Sequence, residues 1–157
     1  MSDGRTQRDI ARRLEQTQVT ERPGGVTGYD TFYETSTYTP TYQGSVTGGA
    51  TTYSLQVGSW VRIGKVMIVT GSLTWTAATG TGDARVSLPV APENVANQNF
   101  SLSLRITGVT FANSTPQGQI LPATAYFTMH SPITNGASTV VGMEAAGTVI
   151  FTATYFV

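Results

Sequence analysis

The chain predicts a mainly β protein, an antiparallel β-sandwich or jelly roll that follows a short N-terminal helix and an extended arm. Three observations carry that prediction. From about Thr51 onward, apolar and polar residues alternate with the two-residue period of half-buried strands. The 157 residues include 27 Thr, which favours strands, and Gly and Pro interrupt the alternation often enough to mark turns. Charge is gathered at one end: of nine basic and nine acidic residues, five Arg and six acids fall in the first 34 positions. The remainder must stay soluble through hydroxyl and amide side chains.

The elements follow in order. Thr6-Gln7-Arg8-Asp9 fits a capping box, with the Thr6 hydroxyl as cap and Asp9 answering three residues on. Good helix formers run from there to about Gln18, and Ile10 and Leu14 lie one turn apart with Ala11 beside them. A helix of about a dozen residues with so narrow a stripe is marginal alone in water. It is therefore expected to dock, and Ile10, Ala11 and Leu14 are the candidate attachment residues. Pro23-Gly24-Gly25 ends it. Residues 26–50 are rich in Gly, Thr and Tyr with little periodicity and read as an extended arm. The expected layout is thus a helical anchor over 1–25, an arm over 26–50 and a β body over 51–157.

Within the body, Phe100, Leu102, Leu104 and Ile106 alternate with Ser101, Ser103, Arg105 and Thr107, a half-buried strand. The last segment, Thr148 to Val157, carries apolar residues on both faces and is expected to be central or covered. Further strands are expected near Tyr53–Val57, Ser59–Ile63, Lys65–Trp75, Ala84–Leu88, Ala123–His130 and Ser138–Met143. Gly64-Lys65 and Thr79-Gly80-Thr81-Gly82 look like tight hairpin connections. No repeat of 20 to 50 residues appears, which disfavours a solenoid or propeller.

Composition narrows the function classes. Net charge is zero, so bulk electrostatics does not draw the chain to nucleic acid or an anionic membrane. Without Cys there is no disulfide, thiolate nucleophile or Cys-based zinc site. No apolar stretch follows the first residues, so a signal peptide is not expected, and runs such as Val66-Met67-Ile68-Val69 are too short to span a bilayer. The expectation is synthesis in the cytoplasm without classical secretion and no membrane insertion.

Candidate chemistry is sparse. His130 is the only histidine, and one imidazole with few carboxylates does not make an ordinary transition-metal site; a polar residue closing a strand before Ser131-Pro132 is the plainer account. No G-x-S-x-G elbow accompanies it. Paired carboxylates for sugar hydrolysis would have to come from Asp83, Glu93 and Glu144, whose spacing shows no such pairing. The glycines neither follow a phosphate-cradling pattern nor open a helix. Trp60, Trp75, Tyr126 and Tyr155 fit core or interface packing better than sugar platforms. Neither a catalytic residue nor a cofactor is expected.

One stretch resembles a known module. Tyr38-Thr39-Pro40-Thr41, then Ser59-Trp60-Val61-Arg62-Ile63-Gly64-Lys65-Val66-Met67-Ile68-Val69-Thr70-Gly71, and the continuation Thr74 to Pro89 resemble a module of tailed-bacteriophage virion proteins, common at the C-terminal end of tail fibres and related appendages. The resemblance covers roughly residues 38 to 90. It implies jelly-roll-like subunits in a homotrimer on the virion surface, with other tail or capsid proteins as partners and a host surface glycan or protein as outer contact. It carries over no catalytic residue. Arg62, Ile63, Gly64, Lys65 and Gly71 are its structural positions: cations flanking a hairpin, where they discourage edge-to-edge pairing, and a glycine marking a bulge or close backbone approach. The leading expectation is a short tail fibre or receptor-binding appendage. The alternative is a capsid decoration (cement) protein; a polysaccharide depolymerase ranks third.

Overall fold

Two 13-residue strands form the backbone of the body: β3 (Thr51–Ile63) and β4 (Val66–Ala78), joined by Gly64-Lys65 alone. Met67, Val69, Leu73 and Trp75 of β4 point inward and are buried, while Ile68, Thr70, Ser72 and Thr74 point outward. The two-residue turn expected there is present, with Gly64 at a φ of 59°, a left-handed conformation that favours glycine. A computed structural model describes residues 33–111, 116–132 and 137–157 of the chain. The expected helix over 1–25, with Ile10, Ala11 and Leu14, and the first part of the expected arm lie outside the described residues.

Eight further strands complete the body: β1 (Tyr33–Tyr38), β2 (Tyr42–Gly44), β5 (Ala84–Ser87), β6 (Phe100–Thr107), β7 (Gln117–Ile120), β8 (Tyr126–Ser131), β9 (Thr139–Val140) and β10 (Gly147–Phe156). All pairings are antiparallel, and the order is β1-β3-β4-β10-β6-β7-β8-β5-β2, with β9 beside β8. The antiparallel, mainly β class read from the alternation holds. The core is enclosed by one sheet curling onto itself, so the facing layers of the expected sandwich belong to a single ladder. As expected from its two apolar faces, β10 is central, between β4 and β6.

Alternation decides which side chains fill the inside. Val149, Phe151, Ala153 and Tyr155 of β10 meet the inward residues of β4, and the row Phe100, Ile120, Phe127, Val86 and Tyr42 crosses from β6 to β2 in register. Phe127 and Phe151 meet edge to face at 4.8 Å between centroids, a favoured aromatic geometry. Trp75 and Tyr155 are core residues, as their strand positions suggested.

The arm assignment is corrected from Tyr33 onward. Residues 33–38 and 42–44 are strands of the body, and Tyr42 is 1% exposed. Its ring stacks on Trp75 at 4.0 Å, and its hydroxyl accepts the Glu144 N–H at 2.9 Å, while Trp75 Nε1 donates to the Glu144 carbonyl at 2.9 Å. The seam between β2 and the start of β3 is closed by side chains. Thr51 Oγ1 donates to the Tyr42 carbonyl at 3.0 Å, the Tyr53 hydroxyl accepts the Tyr42 N–H at 2.6 Å, and Gln56 Nε2 donates to the Pro40 carbonyl at 2.8 Å. A register shift around Ser54 allows this: it places Tyr53 opposite Trp75 on the inner side and Leu55 opposite Thr74 on the outer side. Thr79-Gly80-Thr81-Gly82, expected as a hairpin, instead carries the chain from β4 to β5, which pairs with β8 and β2.

Candidate ligand-binding cleft

The outward residues of β6, β7 and β8 differ in kind from those of β4 and β10. Register sets Ser101 opposite Gln119, Gln119 opposite Thr128, and Gln117 opposite His130. Strands sit about 4.8 Å apart, so these polar groups form a compact array on a rigid floor. Ser101, Gln117, Gln119 and His130, together with Asn99, Phe100, Gly118 and Ser138, line an open cleft of about 280 Å³. Among the described residues no charged side chain lines it.

Two features hold the floor in place. A β-carbon at Gly118 would collide with the Leu102 side chain, so the core itself requires glycine between the two Gln. Beneath the neighbouring positions, Ile120, Phe127 and Met129 are fully buried. The His130 ring is held at both nitrogens, with Thr128 Oγ1 2.9 Å from Nε2 and Ser138 Oγ 3.4 Å from Nδ1. Partial burial pushes the imidazole below its ordinary value, and Asp83 works weakly the other way. His130 is therefore a neutral ring at pH 7, carrying one donor and one acceptor.

The side-chain amides of Asn99, Gln117 and Gln119 make no hydrogen bond among the described residues. Each offers a carbonyl and an NH₂ to solvent or a ligand. The chemistry available is hydrogen bonding. The Ser138–His130 pair has a hydroxyl, Thr128, where a hydrolytic triad would place an orienting carboxylate. The three body carboxylates are dispersed: Glu93 pairs with Lys65 at 3.1 Å, Glu144 accepts the Thr110 N–H at 3.3 Å, and the Asp83 segment bridges to Gly142. Among the described residues no three His, Asp or Glu gather as a metal site.

The positions singled out for the phage-like stretch lie at the other side of the sheet. Arg62 Nε donates to the Gly64 carbonyl at 2.8 Å, bracing the turn, and its guanidinium lies 3.7 Å from Glu34 of β1. Ile63 is half exposed, and Lys65 flanks the turn as expected while its carbonyl accepts the Val157 N–H. Gly71 marks a close approach and not a bulge: its missing β-carbon is replaced by the Phe151 ring, as that of Gly58, directly opposite, is replaced by the Tyr38 ring. These five positions are scaffold, and they do not join the cleft.

The cleft residues escaped the sequence reading because they span residues 99 to 138 without a fixed spacing. The available signal was weak: Gln117 and Gln119 alternate around a glycine, a pattern of low strand propensity. A second surface stands out on the outer side of β1, β3, β4 and β10. Tyr33, Leu55, Val57, Ile63, Ile68, Ile150 and Phe156 are all exposed there, interleaved with Thr and Ser.

No family model, characterised protein or solved structure matches this chain.

Proposed function

We propose that the chain is a bacteriophage virion surface protein, a short tail fibre or receptor-binding appendage whose β body contacts the host and whose charged leader attaches it to the particle. The stretch from Tyr38 to Pro89 supports the virion assignment by its likeness to appendage modules. The observation that carries the binding role is the cleft, where uncommitted amides surround a neutral, anchored imidazole with no charged side chain among the lining residues. Such a site can bind selectively, and no carboxylate lies among its described lining residues. The likeness also implies three copies in each appendage.

The capsid decoration reading rests on a different observation, the exposed apolar residues outside β3, β4 and β10, which suit contact with protein. Labelling the protein on intact particles for electron microscopy separates the two: label at the tail supports the appendage, and label spread over the head supports decoration. Purified protein should also bind host cells; protein that ignores cells and coats empty capsids overturns the adhesion reading. Light scattering should give a trimer mass, and a monomer at micromolar concentration would refute three-fold assembly.

A further inference from the structure

We infer that the β6–β7–β8 cleft is a binding site for a neutral, hydroxyl-rich saccharide unit, with Gln117, Gln119 and Asn99 as its principal contacts and Ser101 and His130 on its floor. This rests on the adhesion reading for its biological role but on the cleft alone for its chemistry.

The argument begins with what the floor offers. Each free amide presents a donor and an acceptor side by side, and adjacent sugar hydroxyls present the complementary pair. Gln117 and Gln119 lie two residues apart on one strand face, about 7 Å apart along β7. Ser101 and His130 flank them on the neighbouring strands. A ligand that spans this array meets hydrogen-bonding groups in two directions, along a strand and across three. The cleft's volume of about 280 Å³ is at the small end of small-molecule sites and suits one sugar ring with its neighbours projecting into solvent.

Charge narrows the class. An anionic sugar, phosphate or nucleic-acid backbone would find no cation among the described lining residues. Arg85 stands beside the array, in register with Thr128, but its guanidinium lies over the Tyr126 ring at 4.3 Å and it is not among the described residues that line the cleft. Burial of a carboxylate against uncompensated amides is less favourable than burial of hydroxyls, which exchange water hydrogen bonds for equivalent ones. The anchoring of His130 by Thr128 and Ser138 fixes the ring before the ligand arrives, so little side-chain freedom is lost there.

The test uses the full chain and saturation-transfer NMR. The neutral probes are maltotriose, cellotriose, mannotriose and tri-N-acetylchitotriose; the acidic probes are trigalacturonic acid and 3′-sialyllactose; a uridine trinucleotide tests the nucleic-acid alternative. The expected result is transfer from at least one neutral probe. Its affinity should fall about tenfold in the Gln117→Ala, Gln119→Ala double variant, the loss of two hydrogen bonds of ordinary net strength. Both side chains point outward, so the thermal midpoint should not move; Gln119→Glu, close in size, should weaken binding on an equally folded protein. Transfer from no neutral probe overturns the assignment, as does transfer from acidic probes or the trinucleotide alone, or unchanged affinity in the double variant. Cell binding keeps the two readings apart. Wild type and double variant adhering equally removes the cleft assignment and leaves adhesion standing; wild type that takes up a neutral saccharide yet ignores host cells does the reverse.

Discussion

Truncating Tyr42 tests whether the segment before β3 is structure or tether. In Tyr42→Ala the protein loses a ring that is 1% exposed and stacked on Trp75 at 4.0 Å. Large aromatic truncations in a core cost about 3–5 kcal/mol, and the closeness of this stack puts the expected loss near the upper end. Tyr42→Phe isolates the hydroxyl. It strands the Glu144 N–H, which the hydroxyl accepts at 2.9 Å, and should cost about 1–2 kcal/mol because Glu144 is half buried. For a body of this size each kcal/mol moves the thermal midpoint by roughly 3–5 °C, so Tyr42→Ala should melt about 12–20 °C below wild type. Urea titrations followed by tryptophan fluorescence supply the free energies, and Tyr33→Ala, at a 59% exposed residue of β1, is the control with little effect. A Tyr42→Ala loss under about 1 kcal/mol with an unchanged urea slope would sink the claim that β2 belongs to the core.

Other perturbations have equally direct outcomes. Gly71→Ala places a β-carbon about 2.5 Å from the Phe151 ring, which Phe127 holds in place, so a loss of about 1–3 kcal/mol is expected in the same urea titration. Lys65→Ala, which breaks the solvent-exposed pair with Glu93, should change stability by less than about 0.5 kcal/mol. Ala123 sits at a φ of 57° after Pro122, where a type II turn favours glycine, so Ala123→Gly should be neutral or slightly stabilising in thermal melts. His130 is lowered from its ordinary 6.5 by burial, so the unfolded chain takes up the proton first. Its contribution to stability is complete above 6.5 and is lost as pH falls through the folded value. Thermal midpoints of wild type and His130→Gln should therefore diverge on acidification below 6.5, with the wild type falling faster.

What could be read from the sequence followed from side-chain period. The strands β4, β6 and β10 combine long alternation with branched or aromatic residues, and their inward faces are those the pattern assigns. The short strands were not legible for a physical reason. Tyr42 is buried because Trp75 lies across the core from it, 33 positions away, and three residues carry no period of their own. Gln117-Gly118-Gln119 lies in a strand whose pattern is set by Leu102, which occupies the room a side chain would take at Gly118. The same limit hid the cleft, for only the pairing of β6, β7 and β8 brings Ser101, Gln119, Gln117 and His130 together. The turn at Gly64 and the scaffold role of Arg62 were local and so could be read directly.

The central position of β10 governs how this body can be built. Among the described strands, β1-β3-β4 on one side and β6-β7-β8-β5-β2 on the other are joined in the ladder only through it. Two half-sheets made earlier in chain order therefore wait, each with an unpaired edge, for the last strand to arrive. Assembly should be concerted, with slow formation set by contacts distant in sequence and no stable half-body along the way. While β10 is missing, the edges of β4 and β6 are open to any other chain nearby, so a protein truncated before Gly147 is expected to aggregate and not to persist as a smaller domain.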